Sequence, residues 1–192
     1  MTVLILGLVI LLGAHSVRIF AEGWRERQVA RLGIETWKRL FALVSLAGLV
    51  LIAIGFGQAR SAPTVLWYPP LALRHAAGLI TLLSFVLLAA AYVPDTRIKA
   101  KLGHPMAAGV KGWAFAHLLA NGNLADVVLF GVFLAWGVLY FGSARRRDRV
   151  AGTVYPAGTV KGDLTAVAVG VAAWIVFAFW LHGWLIGVRP FG

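Results

Sequence analysis

The chain has 192 residues, 60% hydrophobic and only 13% charged, with a mean hydropathy of +0.84. That composition excludes an ordinary soluble domain and predicts a single integral membrane domain over residues 1–192, with the lipid bilayer as its main partner. The net charge of +11 does not point to nucleic acid, because the Lys and Arg lie in short connectors between apolar runs, where topology-setting charges belong.

The first apolar run, Thr2 to Val17, carries only Thr2, His15 and Ser16 as polar interruptions. A signal peptide would place basic residues before its apolar core. Here the first, Arg18, comes after it, so an uncleaved helix is expected, with His15 and Arg18 on one face near its end. A basic connector follows, with Arg25, Arg27, Arg31, Lys38 and Arg39 beside Glu22, Glu26 and Glu35. Leu40 to Gly57 is the second span, and the third is Leu71 to Val93, with Arg74 and His75 near its start. Gln58 to Pro70 is the loop between them, and Thr96 to Gly103 the next.

The fourth span, His104 to Asn123, is short and unlike the others, since it holds two His and a Lys among small apolar residues. Ionisable groups at membrane depth are costly and face the protein interior. Pro105 suits the first helical turn. Ala108, Gly112 and Ala116 recur every four residues and predict close helix packing. Met106, Val110, Trp113 and His117 share one face, with His104 and Lys111 nearly opposite. Asn121-Gly122-Asn123 predicts a tight turn into the fifth span, Leu124 to Gly142, so that the two form a helical hairpin. Ser143 to Lys161 is a basic loop, and Leu164 to Val188 is the sixth span, with His182 near its end. The fold class is therefore all-α, an integral membrane bundle of six transmembrane helices.

Thirteen Lys and Arg fall in the connectors on one side, and the opposite side has only Arg60, Arg74 and Arg189. The positive-inside bias places both termini away from the cytoplasm. By helix rise, His75, His117 and His182 lie toward the outer leaflet, and His15 and His104 toward the cytoplasmic side.

There is no Cys, which excludes disulfides, thiolate metal sites and covalent c-type haem attachment, and leaves the five His as ligand candidates. A single His on a span can serve only to hydrogen-bond a neighbouring helix, a role weighed evenly for His75 and His104. Five His are more than packing needs, and a bis-His haem b requires neither Cys nor a local motif. Arg18, Arg74 and Lys111 could pair with haem propionates, although Arg74 better fits interfacial snorkelling. Carboxylates are too scarce in the spans for a hydrolase dyad or a carboxylate-bridged metal pair.

Several segments together resemble the NnrU family. They are Gly103-His104-Pro105-Met106, Ala116-His117-Leu118-Leu119-Ala120-Asn121-Gly122, Ala14-His15-Ser16-Val17-Arg18, Phe41-Ala42-Leu43-Val44-Ser45-Leu46-Ala47-Gly48, Leu73-Arg74-His75 and His182-Gly183-Trp184-Leu185-Ile186-Gly187-Val188. The resemblance runs over nearly the whole chain. It implies a multi-pass protein of the bacterial inner membrane, with periplasmic termini and a link to nitrite and nitric oxide reduction. The family is similar to plant zeta-carotene isomerase, which uses haem b to isomerise a cis double bond. The positions matching that enzyme's axial ligands are His15 and His117. The plant motif has Cys three residues before its second ligand, where this chain has Ala114, so ligand exchange through that Cys is not possible here. His-Pro also resembles isoprenylcysteine methyltransferase-like enzymes, but their preceding Arg is replaced by Gly103 and the later loop is basic.

His15 and His117 are offset by about 10 Å in depth, which a tilted haem tolerates, and His182 matches His117 in depth more closely. The expected site is therefore haem b on His15 and His117, with His182 as the alternate ligand and Arg18, Lys111 and Trp113 around the cofactor. Two functions are expected. One is a haem-dependent isomerase or redox enzyme on a lipophilic substrate. The other is a non-enzymatic haem or redox sensor, or an accessory of nitrogen-oxide respiration. A permease would need a polar path that these spans lack.

Overall fold

The structure, a computed structural model, describes residues 1–191. It consists of helices α1 (Thr2–Phe20), α2 (Glu22–Leu32), α3 (Ile34–Ser61), α4 (Leu71–Tyr92), α5 (Arg97–Leu102), α6 (Pro105–Ala120), α7 (Leu124–Ala151) and α8 (Val160–Ile186). The all-α expectation holds. Five helices, α1, α3, α4, α7 and α8, are long and apolar enough to cross a membrane. The expected fourth span, α6, is apolar but has 16 residues, about 24 Å of helix, short of the ~30 Å hydrocarbon core. Its ends nevertheless reach opposite ends of the molecule. His104 meets the C-terminal part of α7, and Asn121 leads into the turn before α7.

Three connectors differ from expectation, the loop Thr96 to Gly103 being the short helix α5. The first basic connector is largely helical: α2 fills it, and Glu22 pairs with Arg18 and Arg25, each at 3.3 Å. The basic stretch after Gly142 continues α7 as helix to Ala151, where Gly152 at φ 62° stops it. Arg and Asp do not break a helix; they only end its stay in lipid. The expected Asn-Gly-Asn hairpin is present, and the loop after α3 folds onto it, with the Leu66 N–H donating to Gly122 O at 2.8 Å.

The long helices and α6 neighbour one another in the order α3, α1, α7, α6, α4, α8. Arg60 on α3 donates to Ile186 O on α8 at 2.7 Å, so the two outer helices approach at that end. At the other end Arg147 on α7 donates to Arg18 O at 2.9 Å, and Arg145 to Leu102 O, which gathers the basic ends of α1, α5 and α7.

The interior combines a cluster of large side chains, Leu4, Leu8, Leu12, Ile52, Leu129 and Phe130, with many small residues. Ala90, Ala114, Ala116, Ala144 and Ala166 are fully buried, whereas Leu43, Leu79 and Leu164 on the outer faces are each about two-thirds exposed. This inverts the soluble pattern and suits lipid as solvent. α1 and α3 touch backbone to backbone. A Cβ on Gly48 would come within 2.7 Å of Leu11 N, and one on Gly55 would fall on the Leu4 main chain. Across α4 and α6, a Cβ on Gly112 would meet Ser84 Oγ at 2.5 Å, and Gly109 faces the Ser84 carbonyl. The close stripe on α6 thus runs through Pro105, Gly109, Gly112 and Ala116. Ala108, expected within it, is only partly buried because Gly109 takes the contact.

Gly55→Leu should force α1 off α3 and cost at least the ~1–3 kcal/mol of an overpacked core, read as a lower melting temperature in detergent. Gly57→Ala, one half-turn on with nothing within 4 Å, should leave that temperature unchanged within about 0.5 kcal/mol.

Candidate functional site

Three of the five histidines share one hydrogen-bonding state. On α1 the His15 Nδ1–H donates to Leu11 O at 2.8 Å, one turn back. On α6 the His117 Nδ1–H donates to Trp113 O, also at 2.8 Å. Near the end of α8 the His182 Nδ1–H donates to Val188 O at 2.6 Å. A carbonyl only accepts, so each ring carries its proton on Nδ1 and leaves the Nε2 lone pair free. His104 is different. Its Nε2 lies 2.8 Å from Asp148 Oδ2, and Tyr155 Oη donates to the same oxygen at 2.9 Å.

The surroundings of the rings are aromatic. The His117 ring stacks on Phe130 with centroids 4.4 Å apart and lies 5.1 Å from Trp113, which in turn packs edge-on against Phe130 and Phe133. His15 sits 4.8 Å from the Phe41 ring and 6.0 Å from Trp136. Beside it are two buried polar atoms without a partner, Ser45 Oγ and Trp136 Nε1. The α1–α3 register, in which Leu4 faces Gly55 and Leu11 faces Gly48, sets Ser45 level with Ala14 and His15. Buried polar groups nearly always find partners, so two orphans at one level mark unmet hydrogen-bonding capacity.

His15 and His117 are not brought into contact. α1 and α6 do not pack on each other; each packs on α7, and their contacts there, Trp136 and Phe130, are about 9 Å apart along the α7 axis. His117 lies within electrostatic range of both His182 and Asp126. Just before His182, α8 makes a π turn over Phe177–Leu181, where the His182 N–H reaches Phe177 O. Such turns re-aim the side chains that follow them and are common at functional sites. Among the described residues no group of three or more His, Cys, Asp or Glu could together hold a metal ion. An axial pair of imidazoles is a smaller set.

The other expected residues are placed as follows. Arg18 is in the ion pair with Glu22. Lys111, expected nearly opposite His117, instead wraps its stem along Gly137 on α7, with the ammonium 3.9 Å from the Phe141 ring centroid; a four-carbon stem allows that reach. Arg74 and His75 are exposed on α4, which suits snorkelling for Arg74. His104 makes the bond to a neighbouring helix weighed for it in the sequence, to Asp148 on α7. It occupies the N-cap position, but its ring bonds Asp148 instead of the helix N–H groups. The residues missed in sequence are Asp148, Tyr155, Phe130 and Trp136. Asp148 lies 44 positions from His104, and nothing local signals the pairing.

An apolar groove of about 440 Å³ opens between α1 and α7, lined by Leu8, Leu12, Ser16, Val132, Trp136 and Leu139 among others. It adjoins His15 through Ser16 and Trp136, while the His117 ring lies under Phe130 and Trp113.

Five helices of this length and polarity define a multi-pass α-helical membrane protein. The chain belongs to the NnrU protein family, whose model matches residues 3–190. No curated protein and no solved structure matches it.

Burial, and then the hydrogen bond to Asp148, pushes the Tyr155 phenol up to about 12. A value raised on folding means that the contribution is complete below the ordinary phenol value near 10 and is lost as pH rises through about 12. The stability difference between the native chain and Tyr155→Phe should therefore be constant from pH 7 to 9 and shrink above about 10, as measured by thermal unfolding.

Proposed function

We propose that this protein binds haem b among its membrane helices and acts on a lipophilic molecule that reaches it from the bilayer. The observation that carries this reading is the shared state of His15, His117 and His182, with Nδ1–H anchored on a main-chain carbonyl and Nε2 free. An imidazole held this way offers one lone pair in a set direction, as an axial ligand to haem iron requires. His117 is the first ligand in this reading and His15 its partner, the positions that match the zeta-carotene isomerase ligands. Trp136 Nε1 and Ser45 Oγ supply donors beside His15 that propionate oxygens would satisfy, with Arg18 and Lys111 as the nearby cations and Trp113 as the wall beside His117. Haem bound there would provide a redox-active iron in a dry setting. The groove between α1 and α7 gives a lipid-dissolved substrate a route to the His15 side. The basic ends of the helices face the cytoplasm of a bacterial inner membrane, α6 completes a sixth crossing, and both termini are periplasmic.

Two observations favour variants of this reading. The electrostatic proximity of His182 to His117 and the π turn before it support His182 as the second ligand in place of His15. The cover of Phe130 and Trp113 over His117 suits a haem closed to substrate, and with it a redox sensor or an accessory of nitrite and nitric oxide reduction.

Protein purified from haem-replete cells should show a Soret band of low-spin, six-coordinate iron. A well-folded preparation with no chromophore and no uptake of added haemin ends the proposal. His117→Ala should give a five-coordinate spectrum or lose the haem, while His104→Ala, which breaks the contacts with Asp148, Tyr155 and Phe141, should keep the band. Whichever of His15→Ala and His182→Ala reproduces the His117→Ala spectrum names the second ligand. Loss of haem in His104→Ala with a normal spectrum in His117→Ala would reverse the assignment.

A further inference from the structure

At the basic end of the molecule, away from the imidazoles, a polar pocket of about 260 Å³ lies between the end of α5 and the last turns of α7. Lys101, Arg145 and Arg149 line it from two helices, together with Asp148, Thr153 and Tyr155. Arg145 and Arg149 are one turn apart on α7 and so share a face. Arg145 makes one long bond, 3.3 Å, to Leu102 O, and among the described residues Lys101 and Arg149 make none. The only carboxylate, Asp148, is already engaged by Tyr155 and His104, so the lining keeps an excess of positive charge over a fixed set of acceptors. Turns in the lining itself hold the shape: Gly103 at φ 72° packs against the Tyr155 ring, and Gly152 at φ 62° turns the chain away from α7.

We propose that this pocket binds a phosphate group, carried either by an anionic phospholipid headgroup at the membrane surface or by a soluble phosphate ester. Two guanidinium groups and an ammonium converging on a recess match the charge and the several oxygens of a phosphate. The pocket opens where the helices leave the apolar layer, the level at which lipid phosphates lie, and basic recesses between helices at that level take anionic headgroups. The site is independent of haem and of the His15, His117 and His182 assignment.

The test uses the full-length protein in a neutral detergent, titrated with dioctanoyl phosphatidylglycerol and read by native mass spectrometry. Saturable binding is expected, weakened about fivefold by Arg149→Gln and about twentyfold by Lys101→Gln with Arg149→Gln. Both residues are exposed, so folding should be kept. Arg146→Gln removes the same charge from an exposed neighbour outside the pocket and should change binding less than twofold. Competition identifies the source. If glycerol 1-phosphate or inorganic phosphate displaces the lipid at millimolar concentration, the pocket takes soluble phosphates; if neither does, it is a headgroup site. The proposal is overturned if Arg146→Gln weakens binding as much as Arg149→Gln, which would mean general charge attraction. It is equally overturned if neither the lipid nor glycerol 1-phosphate binds saturably.

Discussion

Nothing in a bilayer pushes apolar helices together, because lipid tails are as apolar as the helices themselves. What joins helices there is close fit, and in this protein the fit depends on missing side chains. α1 lies on α3 because Gly48 and Gly55 let the main chains touch, and α6 lies on α4 because Gly109 and Gly112 admit Ser84. The fully buried alanines extend the same contact across the interior beside the core residues Leu4, Leu8, Leu12 and Leu129, while leucines such as Leu43, Leu79 and Leu164 face outward. Everything else depends on this tight frame. Only where main chains pack closely can an imidazole be held against a carbonyl of its own helix with its second nitrogen unsatisfied.

The frame also separates two kinds of histidine by what their rings touch. His104 is tied to an ionisable partner near the helix ends, in a cluster with Asp148 and Tyr155 that fastens the loop after α7 to the start of α6. His15, His117 and His182 are tied to main-chain oxygens among aromatic rings. Each arrangement occupies one ring nitrogen, Nε2 in His104 and Nδ1 in the other three, so the free nitrogen differs in position.

Much of this was legible in the sequence, for physical reasons. Five long apolar runs leave little choice but membrane helices, and Asn121-Gly122-Asn123 joins the shorter α6 to one of them, α7, in a hairpin. The helical state of residues 22–32 was not legible, because a polar segment without an apolar stripe carries no periodic signal. Nor was the continuation of α7 to Ala151, since charge marks the edge of the lipid and not the end of a helix. Within the site, the histidines were visible as costly residues at depth. Their neighbours Phe130 and Trp136 look like any other apolar residues of a span, and the π turn before His182 has no local signature. Lys111 was misplaced by a strict helical wheel, which ignores how far a flexible stem can reach.

The order of neighbours gives α7 a particular position. On one side of it stand α1 and α3; on the other stand α6, α4 and α8. His15 belongs to the first group, His117 and His182 to the second. The molecule is thus two helical halves keyed onto a central post, with a histidine bonded through Nδ1 to a main-chain carbonyl on each half. Anything that bound His15 and His117 together would act as a crossbar over that post, and its affinity would be thermodynamically linked to the docking of the halves, each strengthening the other. A group shared by His117 and His182 would lie wholly within one half and leave the joint at α7 indifferent to its presence.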